Sequence, residues 1–210
     1  MISAILAAPL LAALTVEPWT LAPPAPESKS VWKVEVQVEA QSEQHAANFN
    51  LIVQRGKTEN VTYKWGDLEV DSQSVPFDEE WTGKWDAAGA LTLADNGDET
   101  RRMLLPFQFA YSEKPVDVGS KWTFEYEPKG GAKVQIASEA IAIEKVKDVD
   151  TLKIKTVTKE LKGEQPMSSK GTWWVDRSGK IVKFELNVTN WIVVMADAAP
   201  IEGTIKGIAK

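Results

Sequence analysis

The chain contains no cysteine. Disulfides, thiolate nucleophiles, cysteine-based zinc sites and an N-terminal lipid-modified cysteine are therefore excluded. It contains one histidine, His45, so any Ser-His-Asp or Cys-His mechanism would have to run through that residue. His45 lies in the polar stretch Gln41-Ser42-Glu43-Gln44-His45-Ala46-Ala47-Asn48, which reads as an exposed turn around residues 42–47. There is no glycine-rich phosphate loop and no His-x-x-x-His zinc pattern. Concentrated positive charge is missing too: 24 basic and 30 acidic residues are spread along the chain, for a net charge of -6. Nucleic-acid binding needs clustered Lys and Arg, so that class is set aside. Long apolar runs are limited to residues 2–16 (ISAILAAPLLAALTV), which carry no charge. That run is too short to span a bilayer and suits the core of a signal peptide. No Lys or Arg precedes it, and no clean cleavage motif follows.

What is present is alternation. In residues 31–40, Trp32, Val34, Val36 and Val38 fall on one side, and Lys33, Glu35, Gln37 and Glu39 on the other. Successive strand residues point to opposite faces, so this is a strand with one buried and one wet face. Further strands are expected over 48–54, 60–71, 79–86, 89–94, 121–127, 132–146, 151–161, 170–176, 179–195 and 200–209, about ten in all. Two hairpins, 81–93 and 171–184, share an Asp-x-x-Gly turn (Asp86 to Gly89, Asp176 to Gly179). Asp accepts hydrogen bonds from turn amides, and Gly takes the positive φ that follows. Residues 100–111 (TRRMLLPFQFAY) break the alternation and are too apolar for a free linker. They read as a short helix ended near Pro106, or an extended crossover, packed on the sheet.

Length and pattern together predict one all-β domain: a single curved antiparallel sheet or half-barrel, with little helix and two halves that could be related. Residues 1–22 read as a signal peptide, 23–30 as a proline-rich spacer and 31–210 as the domain. Its halves would be 31–99 and 115–210, joined by 100–114.

Nine tryptophans are many for this length. Trp32, Trp65, Trp81, Trp85 and Trp122 are in phase with the apolar residues of their strands and read as core. The last hairpin differs. With one bulge at the Asp176 turn, Trp174 would share a side with Val182, Phe184 and Leu186. Trp173, Val175, Ile181 and Trp191 would share the other. Both faces would then be apolar near the turn and the second would need a cover: the crossover, the N-terminal segment, a lipid-like ligand or a partner protein. Trp173, Trp174, Val175, Ile181 and Trp191 are the candidate ligand-binding residues. Exposed tryptophans could alternatively stack on sugars.

Carboxylates are the remaining material for catalysis. Asp67, Glu69 and Asp71 alternate on one strand face, and Asp78-Glu79-Glu80 precede Trp81; a paired arrangement would suit glycoside cleavage. Asp95-Asn96-Gly97-Asp98-Glu99 offers oxygen ligands for calcium but lacks EF-hand spacing, so an Asn-Gly turn is the simpler reading. No metal or cofactor is implied.

Pro115-Val116-Asp117-Val118-Gly119-Ser120-Lys121-Trp122 resembles a phrase of exported bacterial β proteins of unknown function. The later strand, Asp-x-x-Gly, strand unit of residues 171–185 resembles their closing hairpin. Those families are similar in pattern to the half-barrel of the LolA/LolB lipoprotein carriers, a curved sheet whose apolar concave face is covered by helix. The resemblance implies a non-catalytic envelope protein, periplasmic or secreted, that binds a lipid or another hydrophobic ligand and has no active-site residues. A carbohydrate-binding or carbohydrate-cleaving β-sandwich, and a structural interaction module without a small-molecule site, stand as alternatives. With no cysteine the protein would not be a lipoprotein, and no transmembrane helix is expected in the mature chain.

Overall fold

The computed structural model describes residues 17–40, 42–77, 79–89, 91–93, 98–128, 131–193 and 200–210. Six strands precede the crossover: β1 (Lys29–Ala40), β2 (Glu43–Arg55), β3 (Asn60–Val70), β4 (Gln73–Ser74), β5 (Glu80–Trp85) and β6 (Leu91–Leu93). Six follow it: β7 (Lys121–Tyr126), β8 (Val134–Val146), β9 (Val149–Glu160), β10 (Ser168–Asp176), β11 (Ile181–Trp191) and β12 (Ile201–Ala209). Between them lie the helix α1 (Asp98–Leu104) and a 3-10 turn, Leu105–Phe107.

The strands form one curved, unclosed antiparallel sheet. Its order is β6-β5-β3-β2-β1-β12-β11-β10-β9-β8-β7, with β4 paired to β3 off this path. Neighbours in space are consecutive strands everywhere except at β3 and β5, which the short β4 separates in sequence, and at the centre. There β1 pairs with β12, from Trp32 opposite Ala209 to Glu39 opposite Glu202. The open seam lies between β6 and β7, and the chain crosses the concave side to get from one to the other.

The crossover follows from its composition. Glu99 stands in the first turn of α1 and Arg101 and Arg102 in its last, each sign at the end of the helix dipole that favours it. Pro106 cannot continue an α-helix, so the chain tightens into the 3-10 turn and is extended at Gln108. Met103 to Tyr111 are all buried.

Inward residues arrive in phase from every long strand: Val34, Leu51, Tyr63, Ile136, Ile154 and Leu186 are each at most 2% exposed. They belong to one core. Phe107 occupies its middle. Its ring meets Phe49 and Trp65 of the N-terminal strands at 6.2 Å each, and Phe184 and Trp191 of the C-terminal strands at 6.1 and 6.3 Å. These edge contacts suit the aromatic quadrupole.

The outer face explains the scattered Lys and Glu. Across the sheet, Glu35, Lys206, Glu185, Thr172, Lys155, Glu139 and Lys121 occupy successive register positions. Opposite charges thus sit beside one another, the favourable cross-strand arrangement.

Residues 43–47 are strand, contrary to the turn expected there. This end of the β1–β2 hairpin runs past the core, so its residues are polar without being a loop. β1 also starts two residues early, and Ser30 is buried. The segment ahead of β1 is tied to the domain. Trp19 pairs with Val116 through two backbone bonds of 2.8 and 2.9 Å, and Trp19 and Leu21 are 2% and 3% exposed. Residues 1–16 lie outside the described residues.

Gly207 stands opposite Phe184. A Cβ there would lie 2.1 Å from Phe184 Cζ. Gly207→Ala is expected to lower stability by about 2 kcal/mol, the ordinary cost of overpacking a filled core. In a Phe184→Ala background most of that penalty should vanish. Denaturant midpoints of the four proteins check it; additive losses would show that Phe184 does not set the requirement.

Candidate functional site

The site grows from the β10–β11 turn. Asp176 Oδ1 accepts from the Ser178 and Lys180 amides at 2.8 and 3.0 Å, and Gly179 takes φ +84°. The first hairpin repeats this, with the Ala88 amide on Asp86 Oδ1 at 2.9 Å and Gly89 at φ +84°. In the second hairpin Val175 pairs with Ile181 but Trp174 pairs with Lys183, so Val182 is the bulged residue.

That bulge decides the faces. Trp173 pairs with Phe184, and both turn inward with Val175 and Ile181. Trp174 turns outward with Lys183. The expectation that Trp174 shares a side with Phe184 and Leu186 is thus corrected. The extra residue shifts the phase of β11 by one, and a one-residue shift exchanges the faces.

The inward tryptophans have partners. Trp173 Nε1 donates to Thr156 Oγ1 at 2.9 Å, Trp191 Nε1 to the Met103 carbonyl at 3.0 Å and Trp32 Nε1 to the Ile181 carbonyl at 2.9 Å. Trp174 is only 4% exposed, although it is on the outer face. Lys153 and Lys183 lie over its ring, at 5.2 and 4.4 Å from the centroid, and its N–H donates to Glu144. Two lysine stems and their charges cover the indole, the usual way amphipathic chains shield apolar surface.

At this end of the half-barrel the interior is not full. A slot of about 30 Å³ remains, lined by Trp32, Tyr63, Trp85, Phe109, Trp173 and Ile181, with Ser28, Ser30 and Arg55 on the same lining. Two of the five sequence candidates therefore line it. Val175 and Trp191 pack in the core away from the slot, and Trp174 lies on the opposite face. Burial holds the Tyr63 and Tyr111 phenols far above their ordinary pKa, so both stay neutral. Tyr63 Oη accepts from Trp85 Nε1 at 3.1 Å, and Tyr111 Oη donates to the Gly179 carbonyl at 3.1 Å.

Residues 17–28 form a strap over this end. Arg177 stacks on Trp19 at 4.4 Å. The Ala22 carbonyl lies where Gly179 would carry a Cβ, 1.9 Å from that position, so no other residue fits under the strap. Further along, the strap is held to β2 and the residue after it. The Arg55 amide donates to the Ser28 carbonyl at 2.9 Å and the Glu27 amide to the Gly56 carbonyl at 3.2 Å. Arg55 Nη1 donates to the Pro24 and Pro23 carbonyls. Arg55 escaped notice in the sequence because its partners lie about thirty residues away, and nothing local distinguishes a strand-end arginine from a turn residue.

The crossover is anchored at the other side. Glu160, 7% exposed, accepts from Arg101 Nη2 at 2.8 Å and the Met167 amide at 2.8 Å, and Arg102 Nε lies 3.2 Å from it. An open polar cleft of about 690 Å³ lies beside this cluster, lined by Arg101, Arg102, Lys162 and Glu164 among others.

The acidic candidates separate. Asp67 accepts from Asn50 and Asp71 from His45 Nδ1 at 2.9 Å and the Ala46 amide at 2.9 Å. Asp78 and Asp95 to Gly97 lie outside the described residues. Among the described residues no group of three or more His, Asp or Glu is placed to hold a metal ion, and no helix is long and apolar enough to cross a membrane.

No protein-family model matches the sequence, and no curated protein matches it. Two solved structures match over most of the chain. One, from Bacteroides fragilis NCTC 9343, is named as an exported protein with a YmcC-like fold. It is 11% identical, with 90% of this chain and 99% of that chain covered and a TM-score of 0.38. The other is named as a lipoprotein from Parabacteroides distasonis ATCC 8503. It is 13% identical, with 92% and 99% covered and a TM-score of 0.36. At such scores neither likeness carries a function across.

The His45–Asp71 pair sets a pH prediction. The hydrogen bond that His45 donates to Asp71 raises the His45 pKa above 6.5 and lowers that of Asp71 below 3.8. A raised histidine contributes stability that is fully present below 6.5 and fades as pH rises through its folded value. A lowered aspartate contributes stability that is present above 3.8 and is lost as pH falls through its folded value. The pair therefore contributes fully between 3.8 and 6.5. An NMR titration of the His45 ring should give a midpoint above 6.5 that returns to the ordinary value in Asp71→Asn. An unchanged midpoint in that variant would remove Asp71 as the cause.

Proposed function

We propose that the protein is a non-catalytic exported binding protein that takes an apolar chain into the aromatic slot beneath the strap. The observation that supports this most is the pairing of an unfilled apolar slot with a cover held by few bonds. As it stands, about 30 Å³ accommodates little more than one or two water-sized groups. A ligand of lipid size enters only when the strap lifts. If residues 23–28 alone lift, with Trp19 and Leu21 staying buried, what must break is two backbone hydrogen bonds and the Arg55 side-chain bonds to the two proline carbonyls. The backbone bonds are worth about 1 kcal/mol each net and the two from the charged guanidinium about 1.5–3 each, roughly 5–8 in all, a sum that burying about ten methylenes at about 0.8 kcal/mol each matches.

Native mass spectrometry of the protein purified without detergent from its exporting cells tests the reading, together with calorimetric titration with sodium dodecanoate. A stoichiometric adduct of a few hundred daltons, or uptake at one chain per protein, is expected. An apo mass with no uptake would overturn it. That result would move the assignment to an interaction module, which the close packing of Trp173 and Trp191, 2% and 1% exposed, already favours as the second reading.

Export is supported by the uncharged apolar stretch at residues 2–16. The boundary after residue 22 does not suit the core, since cleavage there would remove Trp19 and Leu21. Loss of a buried tryptophan costs about 3 kcal/mol or more. N-terminal sequencing of the exported protein should find a start at or before Glu17. A start at Pro23 would refute the strap as part of the working protein.

A further inference from the structure

We propose that Arg55 recognises the ligand's headgroup, and that the slot's occupant is a single alkyl chain ending in a carboxylate. This rests on the binding reading above and names the ligand class for the same site. Among the described residues Arg55 is the one charged side chain on the slot's lining. Among the described residues no carboxylate pairs with it. Its Nη1 is used on the neutral carbonyls of Pro24 and Pro23, and its Nε is buried with no acceptor. A buried donor without an acceptor is uncommon in a settled structure, and a guanidinium presents its donors as a planar fork that matches a carboxylate. Ser28 and Ser30 line the slot with it and add hydroxyl donors. The neighbouring surface charges, Lys57 and Glu27, lie 4.0 Å apart and offset each other. One cation at the mouth of an aromatic slot suits a monoanion better than a dianionic phosphate or a neutral chain.

The same residue then links binding to opening. With the strap down, Arg55 holds two neutral carbonyls. A carboxylate offers the fork an opposite charge and two parallel acceptors, one of them for the Nε that now has none, where the carbonyls engage Nη1 alone. Exchange of one acceptor set for the other releases residues 23–24, and the alkyl chain follows between Trp32, Tyr63 and Trp173.

The test is calorimetric titration of the full chain with sodium dodecanoate, methyl dodecanoate and dodecyl phosphate at neutral pH, on wild type, Arg55→Gln and Arg55→Lys. Dodecanoate should bind wild type about tenfold more tightly than the ester, the size of one charge-assisted bond. Dodecyl phosphate should bind no better than dodecanoate. Arg55→Gln should erase the preference while retaining ester binding, because the strap is freed. Arg55→Lys keeps the charge without the fork and should retain only part of the preference; it carries the test should Arg55→Gln fail to fold. Equal binding of acid and ester by wild type, or a full preference kept by either variant, would overturn the role of Arg55 and leave the slot standing. Tighter phosphate binding would overturn the carboxylate class. Failure to bind any of the three would overturn the slot reading and this inference together.

Discussion

The ring of Phe107 is the contact on which the rest of the molecule depends. A sheet that curves but does not close has an apolar inner face and no second sheet to cover it. Here a single crossing segment supplies the cover, and Phe107 reaches aromatic rings from both ends of the sheet order. The seam between β6 and β7 is bridged in the same way. Trp122 Nε1 donates to the Ala110 carbonyl at 3.0 Å, and the Tyr111 amide donates to the Ala88 carbonyl at 2.8 Å. The crossover thus replaces the strand pairing that would have closed a barrel, and it fills the space a barrel would have left for a ligand.

The filling is unequal from end to end. At the α1 end, Met103, Leu104 and Leu105 are fully buried and the Glu160 cluster pins the helix. At the strap end Trp19 and Leu21 are buried, but residues 23–28 are held largely through their carbonyl groups. Local opening follows such differences, because segments with few buried contacts open at low free energy while packed ones move only with the whole domain. The proposed ligand entry belongs to the weaker end.

Alternation along Trp32 to Val38, Val61 to Trp65 and Trp173 to Val175 made the strands and most of the core readable, because a period of two has one physical solution at a half-buried sheet. The crossover was readable for the opposite reason: an apolar run without that period and with Pro106 inside it. What could not be read depends on single-residue insertions and distant partners. Val182 as the bulge exchanges the faces of β11, yet any residue near the turn could have been the extra one. His45 looked like a loop residue because polarity at the overhang of a hairpin resembles polarity in a turn. Arg55 and the strap depend on contacts across the sheet end, and no local pattern encodes these.

The junction of β1 with β12 has a consequence for how the molecule is made. β12 is synthesised after every other described strand, yet its neighbours in the sheet are β1 and β11. Until it emerges, the earliest strand presents an open edge at the middle of the future sheet, with Val34 and Val36 beside it. The pairing spans almost the whole described chain, and contacts so distant in sequence form slowly. In a chain of this design the two halves cannot join into one sheet until late. Under the proposed export that is the state a translocation channel would require, and exposed strand edges would meanwhile be open to other partners.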